Sequence, residues 1–343
     1  MMTIKEQGVR AFMRRMMVMA GLVMCTASVQ AADSPAAAID PGDGLTVNSL
    51  ALQAKAFAPE QIKVTVYLPP GYAEQTALGT RYPVLYANDG QDMAAVGLCE
   101  TLSRLYAAHD MRPVIVVAVD MLADRASGYG LSDRAGKHSV VGGSRIGPIG
   151  TRAYDYSEWV ATELVPYIDA HYRTQAGAAG RTVLGWSLGG LNAFNLGWDY
   201  PEVFGRVGAF SPSFWLAADR STPGAVASTR LAQGMVNATS QRKPLRFFLA
   251  VGGREETNDR NGNGVIDAVE DTEDLVQGYR PIDGTTLRGL RDLGYRIDMD
   301  YAGHPSTSAD VAFYLLPDGE HNQATWKRML PVFLAWAYGA GAP

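Results

Sequence analysis

A serine lies between glycines in the segment RTVLGWSLGGLNAF, residues 181–194, and its spacing indicates a nucleophile. Gly185, Ser187 and Gly189 match the pattern G-x-S-x-G, in which a sharp turn from strand to helix exposes the serine hydroxyl. The flanking positions need almost no side chain for the chain to turn there. A buried strand is predicted before Ser187 and a helix after it, so a nucleophile is favoured over an ordinary glycine-rich turn.

A serine nucleophile requires a base, and the chain has five histidines. His321 lies in YLLPDGEHNQATW, which we predict to be a loop between the last strand and the last helix. The order serine, acid, histidine is the one that accompanies this serine pattern, so His321 is the expected general base. His138 and His304 in predicted loops remain alternatives, whereas His109 and His171 are expected at the surface.

The acid that orients the histidine should follow a strand between Ser187 and His321. The segment FFLAVGGREETND, residues 247–259, offers Glu255, Glu256 and Asp259, and Glu255 lies four residues after Val251, near the expected strand end. Glu255 is the expected acid, and Glu256 is the second choice.

Two backbone amides would stabilise a developing oxyanion. The first is the amide of Leu188, directly after the nucleophile. The second is the amide of Gln91 in the loop DGQDM, although this segment also fits a plain turn.

Strand-like and helix-like segments alternate along the chain, which predicts an α/β fold. Apolar runs indicate buried parallel strands, residues 62–69 alternate as an antiparallel edge strand does, and longer patterns have helical spacing. The strands are expected at 62–69, 82–88, 113–120, 182–187, 245–252, 295–303 and 311–316, and the helices at 153–172, 188–201, 285–294 and 322–339. We therefore expect a mainly parallel central sheet with helices on both faces, with the site at the C-terminal ends of the strands.

The N-terminal segment has the pattern of a secretory signal. Basic residues precede the apolar run at 16–29, and the small-residue sequence VQA ends at Ala31. We expect a signal peptide over 1–31, a flexible leader over 32–44 and one domain over 45–340. The protein would be periplasmic or secreted, without stable membrane insertion after cleavage, and an uncleaved anchor is the alternative. A formal net charge of −5 argues against nucleic-acid binding.

An oxygen-rich segment, DRNGNGVIDAVE at 259–270, fits the complete calcium-loop pattern D-x-[DN]-x-[DN]-G-x5-E. Each ligand position holds an oxygen donor, and Gly264 permits the turn at position six. The pattern predicts a structural Ca²⁺ site, with a solvated acidic loop as the alternative. The expected ligands are Asp259, Asn261, Asn263, the Val265 carbonyl, Asp267 and Glu270.

The similarity to known proteins extends beyond one motif. The chain contains, in order, VTVYLPPGY, YPVLYANDGQ, VIVVAVD, ELVPYIDAHYRT, GWSLGG, SPSFW, AVGGREE and GEHNQATW. In these segments, over residues 45–338, it resembles the putative esterase family of enterochelin-type esterases, feruloyl esterases, S-formylglutathione hydrolases and mycolyltransferases. The resemblance implies an α/β-hydrolase fold and serine acyl chemistry, with Ser187, Glu255, His321 and the Gln91 amide at the matching positions.

The resemblance also implies substrate-binding residues. Trp215, in SPSFW, resembles an aromatic that borders the acyl pocket, and core packing is the alternative. Arg125 and Tyr129 resemble a segment near the site, but Gly128 stands where an acid is common.

These observations predict an exported serine carboxylesterase that forms an acyl-enzyme on Ser187, with no organic cofactor. The substrate would be a small-molecule, carbohydrate or siderophore-type ester. An acyltransferase with the same triad and a catalytically inactive binding module are the alternatives.

Overall fold

The computed structural model describes residues 36–39, 44–75, 79–145, 147–281 and 284–340. In this part of the chain, apolar runs form the strands of a ten-stranded sheet. In chain order the strands are β1 (Ala36–Ile39), β2 (Thr46–Gln53), β3 (Gln61–Leu68), β4 (Val84–Asn88), β5 (Ile115–Val119), β6 (Leu131–Asp133), β7 (His138–Val140), β8 (Gly142–Ser144), β9 (Gly147–Ile149), β10 (Arg181–Trp186), β11 (Arg206–Phe210), β12 (Arg246–Gly252), β13 (Ile297–Asp298) and β14 (Val311–Leu316). The strand order in the ten-stranded sheet is β1-β2-β3-β5-β4-β10-β11-β12-β14-β13.

The sheet is mainly parallel, as predicted. Every pairing from β5 through β4, β10, β11, β12 and β14 to β13 is parallel, whereas β1, β2 and β3 pair antiparallel at one side. The expectation that β3 is an edge strand is wrong, because β2 pairs along its full length on one side and β5 pairs on the other. The alternation in β3 instead arises because one face of the strand is more exposed than the other.

Helices cover both faces of the sheet. They are α1 (Leu98–Ala107), α2 (Arg125–Gly128), α3 (Ala153–Trp159), α4 (Val165–His171), α5 (Leu188–Asp199), α6 (Pro223–Ser228), α7 (Leu231–Ala238), α8 (Asp267–Gln277) and α9 (Gln323–Tyr338). A π-helical segment, Val160–Leu164, lies between α3 and α4 where one continuous helix was expected.

Two apolar cores lie on opposite faces of the sheet. Leu191 and Phe194 of α5 belong to one core, and Trp326 and Phe333 of α9 belong to the other. Gly208 of β11 leaves the space that the Phe333 ring fills, since a Cβ at this position would lie 2.5 Å from that ring. Complete burial of such a phenyl ring contributes roughly 2–3 kcal/mol to folding.

Other segments differ from their predicted structure. Residues 285–294 were expected to form a helix, but they contain only the short 3₁₀ turn Arg291–Leu293, and Leu287 pairs with Tyr279 in an isolated antiparallel bridge. The strand expected over 295–303 is reduced to β13. The region 131–152 contains two hairpins, β6–β7 and β8–β9.

The predicted leader includes a strand. Residues 36–39 pair antiparallel with β2, whereas a flexible segment was expected there. The predicted signal peptide lies outside the described residues. In the part of the chain that the structure describes, no helix has the length and apolarity needed to cross a bilayer.

A very sharp turn connects β10 to α5. Ser187, at the turn, has φ 56° and ψ −125°, a region that side chains rarely occupy. A Cβ at Gly185 would lie 2.1 Å from the carbonyl oxygen of Gly189, so the chain can turn back here only with glycine at position 185.

We therefore predict that Gly185→Ala lowers the free energy of unfolding by about 3 kcal/mol or more, because two backbone segments must separate. Urea denaturation followed by circular dichroism measures this change. The control is Gly234→Ala in α7, where the added methyl meets nothing within 4 Å. That variant should be more stable by up to about 1 kcal/mol, and equal unfolding midpoints for the two variants would contradict the steric account.

Candidate active site

Ser187 occupies the turn between β10 and α5 and its conformation is held from two sides. Its amide donates to the carbonyl of Phe210 at 3.0 Å, and its carbonyl accepts from the amide of Ser213 at 3.1 Å. The neighbouring strand end therefore fixes the turn. This arrangement keeps the Ser187 hydroxyl at the C-terminal edge of the sheet, where the predicted site lies.

His321 reaches Ser187 from the loop between β14 and α9. Its Nε2 lies 3.0 Å from Ser187 Oγ, and its side chain is 39% exposed. The imidazole packs edge-on against the indole of Trp326, with 5.5 Å between ring centroids. The ring is thus positioned by the first turn of α9 and still accessible to a reactant.

Glu255 lies on the other side of the imidazole. Its Oε2 is 2.9 Å from His321 Nδ1, and its side chain is only 2% exposed. The other oxygen, Oε1, accepts from the Gly252 amide at 2.6 Å and from the Ser211 hydroxyl. The buried carboxylate is therefore satisfied on both oxygens, as burial of a charge requires.

Ser211 was not identified from the sequence. It follows β11 with φ 45°, and its hydroxyl donates to Glu255 while accepting from Trp326 Nε1 at 2.9 Å. It thus links the carboxylate to the indole that supports the imidazole. A polar residue directly after a buried strand, in SPSFW, is the sequence signal that could have identified it.

The geometry can support stepwise proton transfer. His321 can take the proton of Ser187 through Nε2, while Glu255 holds the proton on Nδ1 and stabilises the imidazolium. Glu256, the second choice for the acid, is hydrogen-bonded to Asn258 instead. Burial raises the pKa of the Glu256 carboxyl, and the hydrogen bond from Asn258 opposes this shift.

Two of the remaining histidines have other partners. The Nδ1 atom of His171 lies 2.7 Å from the carbonyl of Tyr167, and the imidazole stacks on the Tyr167 ring. The Nδ1 atom of His304 lies 2.7 Å from a carboxylate oxygen of Asp300. Among the described residues, the imidazole bonded to Ser187 is that of His321.

The turn that carries Gln91 lies beside the start of α5. It is the 3₁₀ segment Gly90–Asp92 directly after β4, the parallel neighbour of β10. Leu188 is the first residue of α5, where backbone amides have no acceptor within the helix. The side chain of Gln91 fixes the turn, donating to Asp89 Oδ1 at 3.0 Å and accepting from the Met121 amide at 3.0 Å.

Arg125 and Tyr129, expected to contact substrate, are both bonded to Asp89. Arg125 forms a two-pronged ion pair with the Asp89 carboxylate at 2.7 and 2.8 Å, and the Tyr129 hydroxyl accepts from the Asp89 amide at 2.9 Å. Burial raises the pKa of the Tyr129 phenol well above its usual range, and the nearby Asp89 carboxylate adds to the shift. The Tyr129 ring has no exposed surface, so these residues brace the turn before Gln91.

Trp215 both packs on the core and borders a cavity. Its half-buried ring contacts the apolar core, and it also lines a cavity of about 670 Å³ next to Glu256. The contact with the core agrees with the core-packing alternative, and the assignment of Trp215 to the acyl pocket stays a prediction.

The predicted calcium loop is curled around the side chain of Asp259. Its carboxylate accepts from the amides of Gly262, Asn263 and Gly264 at 2.8 to 3.1 Å. The side-chain amides of Asn261 and Asn263 both contact the Glu270 carboxylate.

Asp267, another predicted ligand, is bonded to Arg260. Its carboxylate accepts from the Arg260 amide at 2.8 Å and pairs with the Arg260 guanidinium at 3.1 Å. Among the described residues, no group of three histidine, cysteine, aspartate or glutamate side chains is arranged to hold a metal ion.

Comparisons with known proteins agree with this architecture. The chain is 24% identical over 237 residues to the uncharacterized protein YjcH of Bacillus subtilis, covering 66% of this chain and 84% of that protein. A ferulic acid esterase structure aligns with a TM-score of 0.56 and 17% identity, over 86% of this chain and 97% of that one. The enterobactin esterase of Shigella flexneri aligns with a TM-score of 0.61 and 17% identity, over 89% of this chain and 60% of that one.

The structural alignments show that the chain has an α/β-hydrolase-like esterase fold. The family model described as "Putative esterase" matches residues 56–286, more than half of the chain. Family membership indicates a hydrolase that acts on esters, and the chain belongs to the putative esterase family.

Proposed function

We propose that the chain is a serine carboxylesterase in which Ser187 forms an acyl-enzyme. The observation that carries the proposal is the continuous chain of contacts from Ser187 Oγ to His321 Nε2 at 3.0 Å and from His321 Nδ1 to Glu255 at 2.9 Å. Nucleophile, base and orienting acid within hydrogen-bond distance are the requirements of this chemistry.

In the proposed reaction, Ser187 Oγ attacks the ester carbonyl as its proton passes to His321 Nε2. The amides of Leu188 and Gln91 would hold the resulting oxyanion, a contribution typically worth about 3 kcal/mol for each donor. His321 then gives the proton to the leaving alkoxide, which departs as the alcohol. A water molecule, deprotonated by the same imidazole, cleaves the acyl-enzyme and restores the Ser187 hydroxyl.

The comparisons favour a small-molecule ester as the substrate, because the aligned structures include a ferulic acid esterase and an enterobactin esterase. Only this broad class of ester is proposed, without a specific acyl or alcohol part. The intact contacts among the three catalytic candidates favour an enzyme over an inactive binding module.

The triad assignment predicts that Ser187→Ala and Glu255→Gln lower kcat for a 4-nitrophenyl ester by roughly 10⁴-fold or more. The first variant removes the nucleophile. The second leaves a neutral amide that cannot stabilise the imidazolium and favours the wrong histidine tautomer. Initial rates over a panel of acyl chain lengths, feruloyl esters, acetylated sugars and a siderophore trilactone measure both effects and identify the preferred acyl group.

The matched control is Glu256→Gln, which should keep kcat within about threefold of the wild type because its carboxyl faces Asn258. A large loss in Glu256→Gln with little loss in Glu255→Gln would exchange the two roles. Ester hydrolysis at wild-type rates by Ser187→Ala would overturn the mechanism.

We also propose a structural Ca²⁺ ion in the loop over residues 259–270. The support is the complete ligand pattern, together with the convergence of Asn261 and Asn263 on Glu270 and the loop amides around Asp259. Asp267 would reach the ion through water, as the ninth loop position often does. The amide of Asp267 bonds the carbonyl of Asn258, so the loop is tied to the segment that follows Glu255.

Calcium removal should therefore lower the melting temperature and the esterase rate together. Excess EGTA should lower the melting temperature of the wild type by roughly 5 °C, as expected when an ion held at about 100 times its Kd is withdrawn. Differential scanning calorimetry with EGTA, and then with excess CaCl₂ or MgCl₂, measures the effect, and only calcium should reverse it.

The control variant is Glu270→Gln, whose melting temperature should not respond to EGTA because the closing ligand has lost its charge. Identical wild-type melting curves in EGTA and in CaCl₂, with no calcium in the purified protein by mass spectrometry, would remove the calcium proposal.

Export is proposed on the N-terminal pattern alone. Cleavage after Ala31 should give a mature chain that begins at Ala32. N-terminal sequencing of the protein recovered from the periplasm or medium checks this expectation, and a membrane-bound chain that retains residues 1–31 would instead indicate an anchor.

A further inference from the structure

A cavity of about 670 Å³ is lined by arginine, acidic and aromatic side chains. Two of its lining residues lie close in the chain to groups that contact the triad: Trp215 is two positions after Ser213, whose amide bonds the Ser187 carbonyl, and Glu256 is adjacent to Glu255. Its walls include Ser144, Arg145, Trp215, Arg220, Glu256 and Arg260. Through these two segments the cavity adjoins the parts of the chain that position the triad.

Two arginines that line the cavity have no ion-pair partner among the described residues. Arg145 and Arg220 are exposed, and neither forms an ion pair with any residue that the structure describes. Arg220 lies over the ring of Trp215, with 5.3 Å from its guanidinium carbon to the ring centroid. The flat indole restricts the long side chain. Less conformational entropy would therefore be lost when this guanidinium binds a ligand.

Other charged side chains that line the cavity already have ion-pair or hydrogen-bond partners. Arg260 pairs with Asp267 at 3.1 Å and with Asp271 at 2.7 Å. The Asp259 carboxylate accepts from loop amides, and Glu256 accepts from Asn258. The positive charges of Arg145 and Arg220 are thus the ones that remain available to a ligand in this cavity.

We propose that the cavity holds a carboxylate carried by the ester substrate, and that Arg145 and Arg220 select esters with this group. A planar guanidinium matches a carboxylate with two parallel hydrogen bonds, which gives direction as well as charge. The inference rests on the proposed esterase function and deepens it by naming a class of substrate. It assigns Arg145 and Arg220 to substrate selection, separate from the bond-breaking residues.

The test compares two esters that differ only in charge. One is the mono-4-nitrophenyl ester of adipic acid, and the other is its terminal carboxamide. Values of kcat/KM are measured for the wild type, Arg145→Gln, Arg220→Gln and the control Arg104→Gln on α1, with the rate of Ser187→Ala subtracted as background. Each measurement is repeated with added NaCl.

The wild type should have a higher kcat/KM for the acid than for the amide. Each cavity variant should lower this preference by about fivefold to tenfold, because its kcat/KM falls for the acid and not for the amide. Arg104→Gln should leave the preference unchanged. Added NaCl should slow hydrolysis of the acid and leave the amide rate constant, because a partly exposed ion pair is screened.

Two results would overturn the inference in distinguishable ways. Hydrolysis of both esters with the same preference in the wild type and both cavity variants would remove the carboxylate site and leave the esterase function intact. Hydrolysis of neither ester above the Ser187→Ala background would remove the esterase function, and the substrate class would fall with it.

Discussion

The strained backbone of Ser187 is the constraint on which the rest of the site depends. A residue at φ 56° and ψ −125° costs of the order of 1–3 kcal/mol, and it persists only where its surroundings leave no alternative. Here the glycine at 185 allows β10 to turn directly into α5, and Phe210 and Ser213 hold the turn from the adjacent strand end. The burial of β10 and α5 offsets the strain.

Parallel pairing brings the other groups to the same place. Ser187, Ser211, Glu255 and His321 follow β10, β11, β12 and β14, which are consecutive neighbours in the sheet. Because the four strands run in one direction, their C-terminal ends meet along one edge, although Ser187 and His321 are 134 residues apart in sequence. Their contacts are therefore a consequence of strand order. The hydrogen bond from Ser211 orients the Glu255 carboxylate, and packing against the Trp326 indole orients the imidazole.

Much of this arrangement could be predicted from sequence because it depends on local patterns. Continuous apolar runs indicated the parallel strands, and the glycines around Ser187 indicated the turn. The role of Asp89 could not be predicted, since its bonds to Arg125 and Tyr129 join residues 36 and 40 positions away. Residues 285–294 have helical spacing, but Leu287 pairs with Tyr279 in an isolated bridge, and a contact of that kind has no signature in local periodicity.

Ser187 is proposed to be a nucleophile whose reactivity comes from His321. The most direct measurement is mass spectrometry of the protein after brief treatment with a 4-nitrophenyl alkylphosphonate, followed by peptide mapping. One phosphonyl group should appear on the peptide that contains Ser187, and the His321→Ala protein should react far more slowly. A protein that stays unmodified, or one that is labelled at another residue at the same rate in both forms, would contradict the account.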